Sequence, residues 1–313
     1  MDKDFLWCEV YRPHTISETI LPDGLKKTFQ AFVDQKNIPN LILTGTSGVG
    51  KTTVARAMLD EVGADYIIIN GSDEGRSIDI LRTRITNFAT TVSLAGGRKY
   101  VIIDEADYMN PESIQPALRR AMEEFSKNCG FILTCNFPNR LIPAMHSRSS
   151  VIDFTIVKED KPKLATMVFK RLCDILNTEN VVYDKAVVAE FVKKYYPDTR
   201  RILNELQRYS AGGDIDAGVL VKLSDKSFTD LMNSLKAKRF NDVRKWVAES
   251  VEGDTTELFR KLYDTAHDNM KPTSIPQLVV TLAEYQYKAA FVPDQEINMM
   301  ACLSELMVQC EWK

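Results

Sequence analysis

A chain of 313 residues is long enough for two or three domains, each with its own core. Hydrophobic residues at 44% and charged residues at 27% fit an ordinary globular protein, and no apolar run approaches the ~18 residues of a membrane span. A net charge of −3 excludes nucleic-acid binding through the global field, so any such binding needs a local basic surface.

Residues 1–4 lack the basic-then-apolar layout of a signal peptide, which predicts a cytoplasmic protein with no membrane partner. The six cysteines (Cys8, Cys129, Cys135, Cys173, Cys302, Cys310) form no C-x-x-C pair, and three histidines add no zinc pattern. Buried free thiols are the expectation.

In chain order, the first half alternates short apolar strands with helical stretches, so the predicted fold class is α/β, a parallel sheet covered by helices. The predicted strands are 40–43, 66–69, 100–103, 131–134 and 151–154. They are rich in Ile and Val and nearly continuous, as for strands buried on both faces. Beyond Lys158 helical periodicity takes over, and Gly212 with Gly213 punctuates the end of a small helical domain. Further amphipathic helices run to Lys313, with Leu231, Leu235, Trp246, Phe259, Leu262 and Tyr263 as expected core.

The string GTSGVGKT lies directly after the first strand and before a helical stretch, the context that a phosphate-binding loop requires. Gly45, Gly48 and Gly50 let the backbone wrap a phosphate closely. The amides of Thr46, Ser47, Val49 and Thr53 belong to the same cradle at a helix N-terminus. Lys51 places a point charge on the β- and γ-phosphates, and the Thr52 hydroxyl is a ligand for magnesium. The loop therefore predicts ATP with Mg2+ as the ligand pair. Fifty residues on, the strand 100–103 leads into Asp104 and Glu105. A carboxylate at that strand end holds the magnesium shell, which is assigned to Asp104, and Glu105 is set to polarise the attacking water. Residues 104–107 spell DEAD, but a helicase of that kind needs two tandem motor domains and this chain carries one phosphate loop.

From Arg76 to Lys99 five basic residues (Arg76, Arg82, Arg84, Arg98, Lys99) face one acid, Asp79. Ile78, Leu81, Ile85, Phe88 and Val92 fall on one helical face and read as core. The basic residues off that stripe fit contacts to a nucleic-acid backbone, and fit a solvated charged face equally well. Val92 and Leu94 read either as buried core or as an apolar plug for a protein partner.

WCEVYRP at residues 7–13, DEAD at 104–107, ALRRAMEEFSKN at 117–128, LTCN at 133–136, the Ser147-Arg148 pair and DTRRILNELQ at 198–207 occur in one order. The series resembles the clamp loader subunits of replication-factor-C type, which are AAA+ P-loop ATPases. The C-terminal helices, ending in CEWK, resemble those of the large clamp loader subunits of T-even-type phages. This resemblance implies three domains: a RecA-like AAA+ ATPase domain over 1–157, a helical lid over 158–224, and an all-helical collar for oligomerisation over 225–313.

It also implies roles. Val10, Tyr11 and Pro13 would line an adenine pocket with Arg12 beside them. Asn136 resembles the sensor that hydrogen-bonds the γ-phosphate or water, and Arg200 the lid sensor reaching the same nucleotide. Arg148 resembles the arginine finger given to a neighbouring subunit, in a Ser-Arg-Ser sequence where the family usually has Ser-Arg-Cys. Arg82, and after it Arg76 and Arg84, would track template DNA, while Gln115 and Arg119 would couple DNA contact to the ATP site. The implied partners are sister subunits in a hetero-oligomer (a pentamer containing a small subunit), a sliding clamp and primer–template DNA. The compartment would be the host cytoplasm if the chain is phage-encoded. The expected function is ATP-dependent clamp loading in DNA replication: ATP binding drives clamp opening and DNA binding, and hydrolysis releases the closed clamp. Two other readings stand beside it, another AAA+ DNA motor for branch migration or helicase loading, and a loader subunit that does not hydrolyse ATP.

Overall fold

Five apolar runs become the five strands of one sheet in a computed structural model, which describes residues 5–73, 78–92, 96–216, 226–250 and 255–313. The chain divides into two compact units, Met1–Val219 and Leu220–Lys313.

In the first unit the strands are β1 (Leu41–Thr44), β2 (Tyr66–Asn70), β3 (Lys99–Asp104), β4 (Cys129–Cys135) and β5 (Ser150–Asp153). Their order is β2-β3-β4-β1-β5 and every pairing is parallel. Before β1 run α1 (Trp7–Val10) and α2 (Asp23–Asp34), and between the strands α3 (Lys51–Val62), α4 (Ile78–Thr90), α5 (Ile114–Glu124) and α6 (Pro143–His146). Alternate strand residues feed two separate cores. Ile42, Ile103, Phe131 and Leu133 pack with α4 and α5 on one face, while Leu41, Leu43, Ile102 and Ile132 pack with α2 and α3 on the other. Burial on both faces explains the unbroken apolar runs of β1, β3 and β4. It does not extend to β2 and β5, which lie at the sheet edges and are largely half-buried or exposed. The expectation of five doubly buried strands is corrected accordingly.

On α4 the stripe Leu81, Ile85 and Ala89 is buried, but Val92 lies beyond the helix end and is 89% exposed. Buried Lys99 marks that end: its ammonium donates to the Phe88 carbonyl at 2.9 Å and to Thr91 Oγ1 at 2.6 Å. Arg98 likewise donates to the carbonyls of Ser126 and Cys129. Both basic groups hold backbone oxygens and leave the basic surface to α4 itself. Arg76 and Leu94 lie outside the described residues.

Three helices complete the described part of the unit: α7 (Lys161–Thr178), α8 (Lys185–Tyr195) and α9 (Thr199–Ser210). Leu164, Val168, Leu172 and Leu176 of α7 are buried, as are Val188 and Phe191 of α8 and Ile202 and Leu206 of α9. Asp184 and Asp198 cap α8 and α9 by accepting from the backbone amides of Ala186 and Arg201.

The described residues of the second unit form helices α10 (Lys226–Lys236), α11 (Phe240–Ser250), α12 (Thr256–Asp264), α13 (Ala266–Asn269), α14 (Ile275–Ala289) and α15 (Gln295–Gln309), with an isolated antiparallel bridge between Met270 and Trp312. Leu231, Leu235, Phe259 and Leu262 enter its core with Leu303 and Leu306, and Trp246 packs on the margin. Tyr263 does not; it is 48% exposed with Arg260 over its ring, because the inward face of α12 is already set by Phe259 and Leu262. Five of the six cysteines are buried and Cys8 is half-buried. No helix among the described residues is long and apolar enough to cross a membrane.

Candidate nucleotide site

Parallel pairing puts the carboxyl ends of β1, β3 and β4 side by side, and the loops after them converge there. The loop after β1 turns on three glycines with positive φ: Gly45 at 149°, Gly48 at 73° and Gly50 at 94°. It delivers Lys51 at the first position of α3, 8% exposed. The Lys51 ammonium donates to the carbonyls of Gly45 and Thr46 and to Asn136 Oδ1, each at 2.8 Å. One cation thus ties the loop to the residue that follows β4. Burial pulls its pKa below the ordinary lysine range, while the negative charges of Asp104 and Asp107 oppose that pull.

At the end of β3, Asp104 Oδ1 accepts from the Thr52 hydroxyl at 2.7 Å and from the Thr134 hydroxyl. Thr134 also accepts the Glu105 amide at 3.2 Å, so one β4 side chain orients both acids. Glu105 stands at φ 55°, a left-handed conformation that a side chain rarely adopts, and lines the same cleft. Gly71, after β2, makes room for that turn: a Cβ there would lie 2.5 Å from the Glu105 carbonyl oxygen. Asp107 is buried and accepts the amides of Asn136 at 3.2 Å and Phe137 at 3.0 Å, which fixes the loop carrying Asn136.

The cleft continues from Ser47, Gly48, Val49, Gly50, Lys51, Thr52 and Thr53 to Tyr11, Arg12 and Pro13, and is closed by α7 and α9. Arg200, exposed at the start of α9, lines it opposite the loop. Apolar Val168, Leu172, Ile175 and Leu203 form the far wall. Val10 is not among the lining residues and is 47% exposed; Cys8, two residues earlier, lines the cleft instead. The Tyr11 hydroxyl donates to Glu179 at the end of α7, and burial together with that carboxylate pushes its pKa up to about 12. Gln207 of α9 holds the N-terminal segment from both sides, accepting the Trp7 amide at 2.9 Å and donating to the Phe5 carbonyl at 2.8 Å. At the other end of the cleft α9 meets the loop directly: the Thr199 amide donates to the Gly48 carbonyl at 3.2 Å.

Known proteins similar to this chain show its family. The profile of the ATPase family associated with various cellular activities (AAA) matches residues 41–158. The profile described as the sliding-clamp-loader large subunit, AAA+ ATPase lid domain, matches residues 160–221. The chain is 34% identical to the sliding-clamp-loader large subunit of Enterobacteria phage T4, over 100% of this chain and 98% of that one. It is 34% identical to the same subunit of Escherichia phage RB69, over 99% and 98%. It is also 30% identical to the replication factor C small subunit of Archaeoglobus fulgidus, over 98% of each. The chain belongs to the sliding-clamp-loader family of AAA+ ATPases. Solved structures of the RuvB branch migration motor of Thermotoga maritima share its fold, with a TM-score of 0.53 at 17% identity over 87% of this chain and 85% of that one.

In this clamp-loader chain several predicted residues lie apart from the cleft. Arg148 does not line it; it follows α6 on the outer surface and pairs with Glu123 of α5. Gln115 is fully buried and uses its whole amide, donating to the carbonyls of Met109 at 3.1 Å and Arg140 at 3.0 Å and accepting the Ile142 amide at 2.8 Å. It therefore staples the turn after Glu105 to the segment that leads to Arg148. Arg119 is exposed one turn along α5, 3.7 Å from Glu123. On α4, Arg82 is exposed and Arg84 half-buried. Thr134, Asp107, Glu123 and Asp198 escaped the sequence reading. Only strand register or a contact across many residues singles them out.

Proposed function

We propose that this chain hydrolyses MgATP in the cleft and, within a ring of sister subunits, opens a sliding clamp and closes it on primer–template DNA. The observation that carries the reading is the Lys51–Asn136 and Thr52–Asp104–Thr134 network beside Glu105, which gathers a phosphate-holding cation, magnesium donors and a water-polarising acid in one cleft. Arg148 lies outside its own cleft, which supports its donation to the next subunit as a further cation for the developing charge.

The donor set at Thr52 and Asp104, a hydroxyl and a carboxylate 2.7 Å apart, fits magnesium, a hard cation that takes few protein oxygens beside phosphate. The bound ion would neutralise charge on the β- and γ-phosphates. Lys51 and the loop amides hold the phosphates, and Tyr11 and Pro13 with the apolar wall of α7 hold the base. Glu105 accepts a proton from the attacking water, oriented by Asn136. Arg200 reads the nucleotide from the lid. Residues 1–157, 158–224 and 225–313 would act as ATPase domain, lid and collar. Arg82, with Arg84 and Arg76, would follow the template backbone, and Gln115 with Arg119 would relay DNA contact to the site. The partners are sister subunits of a pentamer including a small subunit, the clamp, and DNA, in the cytoplasm of a host cell.

The test is ATP turnover by the assembled complex with clamp, with primer–template DNA, with both, and with neither. Clamp and DNA together should raise turnover well above either alone. A complex indifferent to the pair sinks the loader reading, and a complex with no turnover under any condition marks a non-hydrolysing subunit.

A further inference from the structure

Arg148 is held on its own chain through four of its five guanidinium N–H groups. Its Nε donates to Glu123 Oε1 at 2.8 Å and its Nη2 pairs with the same oxygen at 2.5 Å. Its Nη1 donates to the Ala144 carbonyl at 3.0 Å and to Ser147 Oγ at 3.1 Å. All three guanidinium nitrogens are in use. An arginine held this way has its charge offset by a carboxylate and its donors turned inward, so it presents no free fork to a phosphate.

The pair is also exposed: the side chains of Arg148 and Glu123 are 35% and 46% accessible. An ion pair between such groups is weak, because water screens it, and a phosphate with more charge can outbid the carboxylate. A second cation stands ready on the same helix. Arg119 Nε lies 3.7 Å from that same Glu123 oxygen, four residues earlier on α5. When Arg148 leaves, Glu123 is not stranded without a partner.

We propose that Glu123 is a positioning residue that parks Arg148 on its own subunit until a neighbour's nucleotide draws it out, with Arg119 taking over the vacated carboxylate. This rests on the reading of Arg148 as a group that acts on the neighbouring subunit's ATP. Its consequence is a restraint on idle hydrolysis. A loader whose arginines are parked turns over slowly until the subunits are brought into register, and removing the parking charge lowers that threshold.

The experiment compares Glu123→Gln, Glu123→Ala, Arg148→Ala and the double variant E123Q/R148A in the assembled loader. Turnover is measured without DNA and with clamp plus primer–template DNA, and folding is monitored by the thermal midpoint. Both Glu123 variants should raise turnover without DNA by about threefold or more and lower the ratio of stimulated to basal rate. In the R148A background, E123Q should change nothing. If R148A abolishes turnover while the Glu123 variants leave the basal rate unchanged, or reduce it, the parking role is overturned and the reading of Arg148 stands. If R148A turns over like the wild type, both fall together. If E123Q raises basal turnover equally in the R148A background, Glu123 acts elsewhere and the proposal is wrong.

Discussion

Asp104 shows how much of this site depends on a residue that carries no chemistry of its own. Its carboxylate is held between the hydroxyls of Thr52 and Thr134, and Thr134 in addition receives the Glu105 amide. Thr134→Val keeps the shape of the side chain and removes the hydroxyl. A hydrogen bond to a charged group contributes about 1.5 kcal/mol, roughly a tenfold change in rate when it acts in the transition state. Turnover should therefore fall about tenfold, with KM for ATP changed much less and the thermal midpoint lowered only slightly. Wild-type turnover in this variant would show that the hydroxyl does not orient the acids. Lys51, Thr52, Asp104 and Glu105 were legible in the sequence because their motif spells out both residue type and spacing. Thr134 was not, because a threonine in a strand is ordinary until the β3–β4 register sets it against Asp104. Lys99 misled in the opposite direction: a basic letter near a basic helix turned out to be a buried cap.

At the scale of elements, the phosphate loop and α9 approach closely at Gly48. A Cβ on Gly48 would lie 1.8 Å from Asp198 Oδ1, and Gly48 also sits at φ 73°. Gly48→Ala therefore combines about 1–2 kcal/mol of left-handed backbone strain with a collision to which Asp198, the N-terminal cap of α9, must yield. ATP affinity should drop by roughly tenfold or more, since 1.4 kcal/mol is already a factor of ten. Adding Asp198→Gly should recover the part due to the collision and leave the part due to φ. Equilibrium titration of both variants with ATP separates the two, and unchanged affinity in Gly48→Ala would mean that the lid does not need this approach to hold nucleotide. The sequence revealed that a strand, a glycine loop and a helix follow one another here, because apolar runs and glycines punctuate them. It could not reveal that a helix about 150 residues later closes on the middle glycine, since no local pattern encodes that meeting. The same limit explains β2 and β5: their composition reads as buried, and only the strand order exposes them as edges.

For the whole molecule, fold and family point to different depths of inference. RuvB has the same architecture at 17% identity, so architecture alone would leave a branch migration motor in play. Identity of 34% along the full length of the phage clamp loader subunits, with a lid profile of that family, removes the ambiguity. The proposed sharing of a site between subunits makes a prediction at this scale. Lys51 lines the cleft and Arg148 does not, so the two should be separable between chains. A ring built with Lys51→Ala in this subunit has dead sites but intact arginines. A ring built with Arg148→Ala has intact loops and no arginine to give. Each should be nearly inactive while remaining assembled. Mixed before assembly, the two variants should regain turnover that neither shows alone, because a heterologous head-to-tail contact brings a good loop and a good arginine together at roughly a quarter of random junctions. The required measurement is the ATPase rate against mixing ratio, with clamp and DNA present. A curve that peaks at intermediate ratios establishes the shared site. A rate that stays at the level of the separate variants at every ratio places Arg148 in the service of its own subunit, and the site would then have to be complete within one chain.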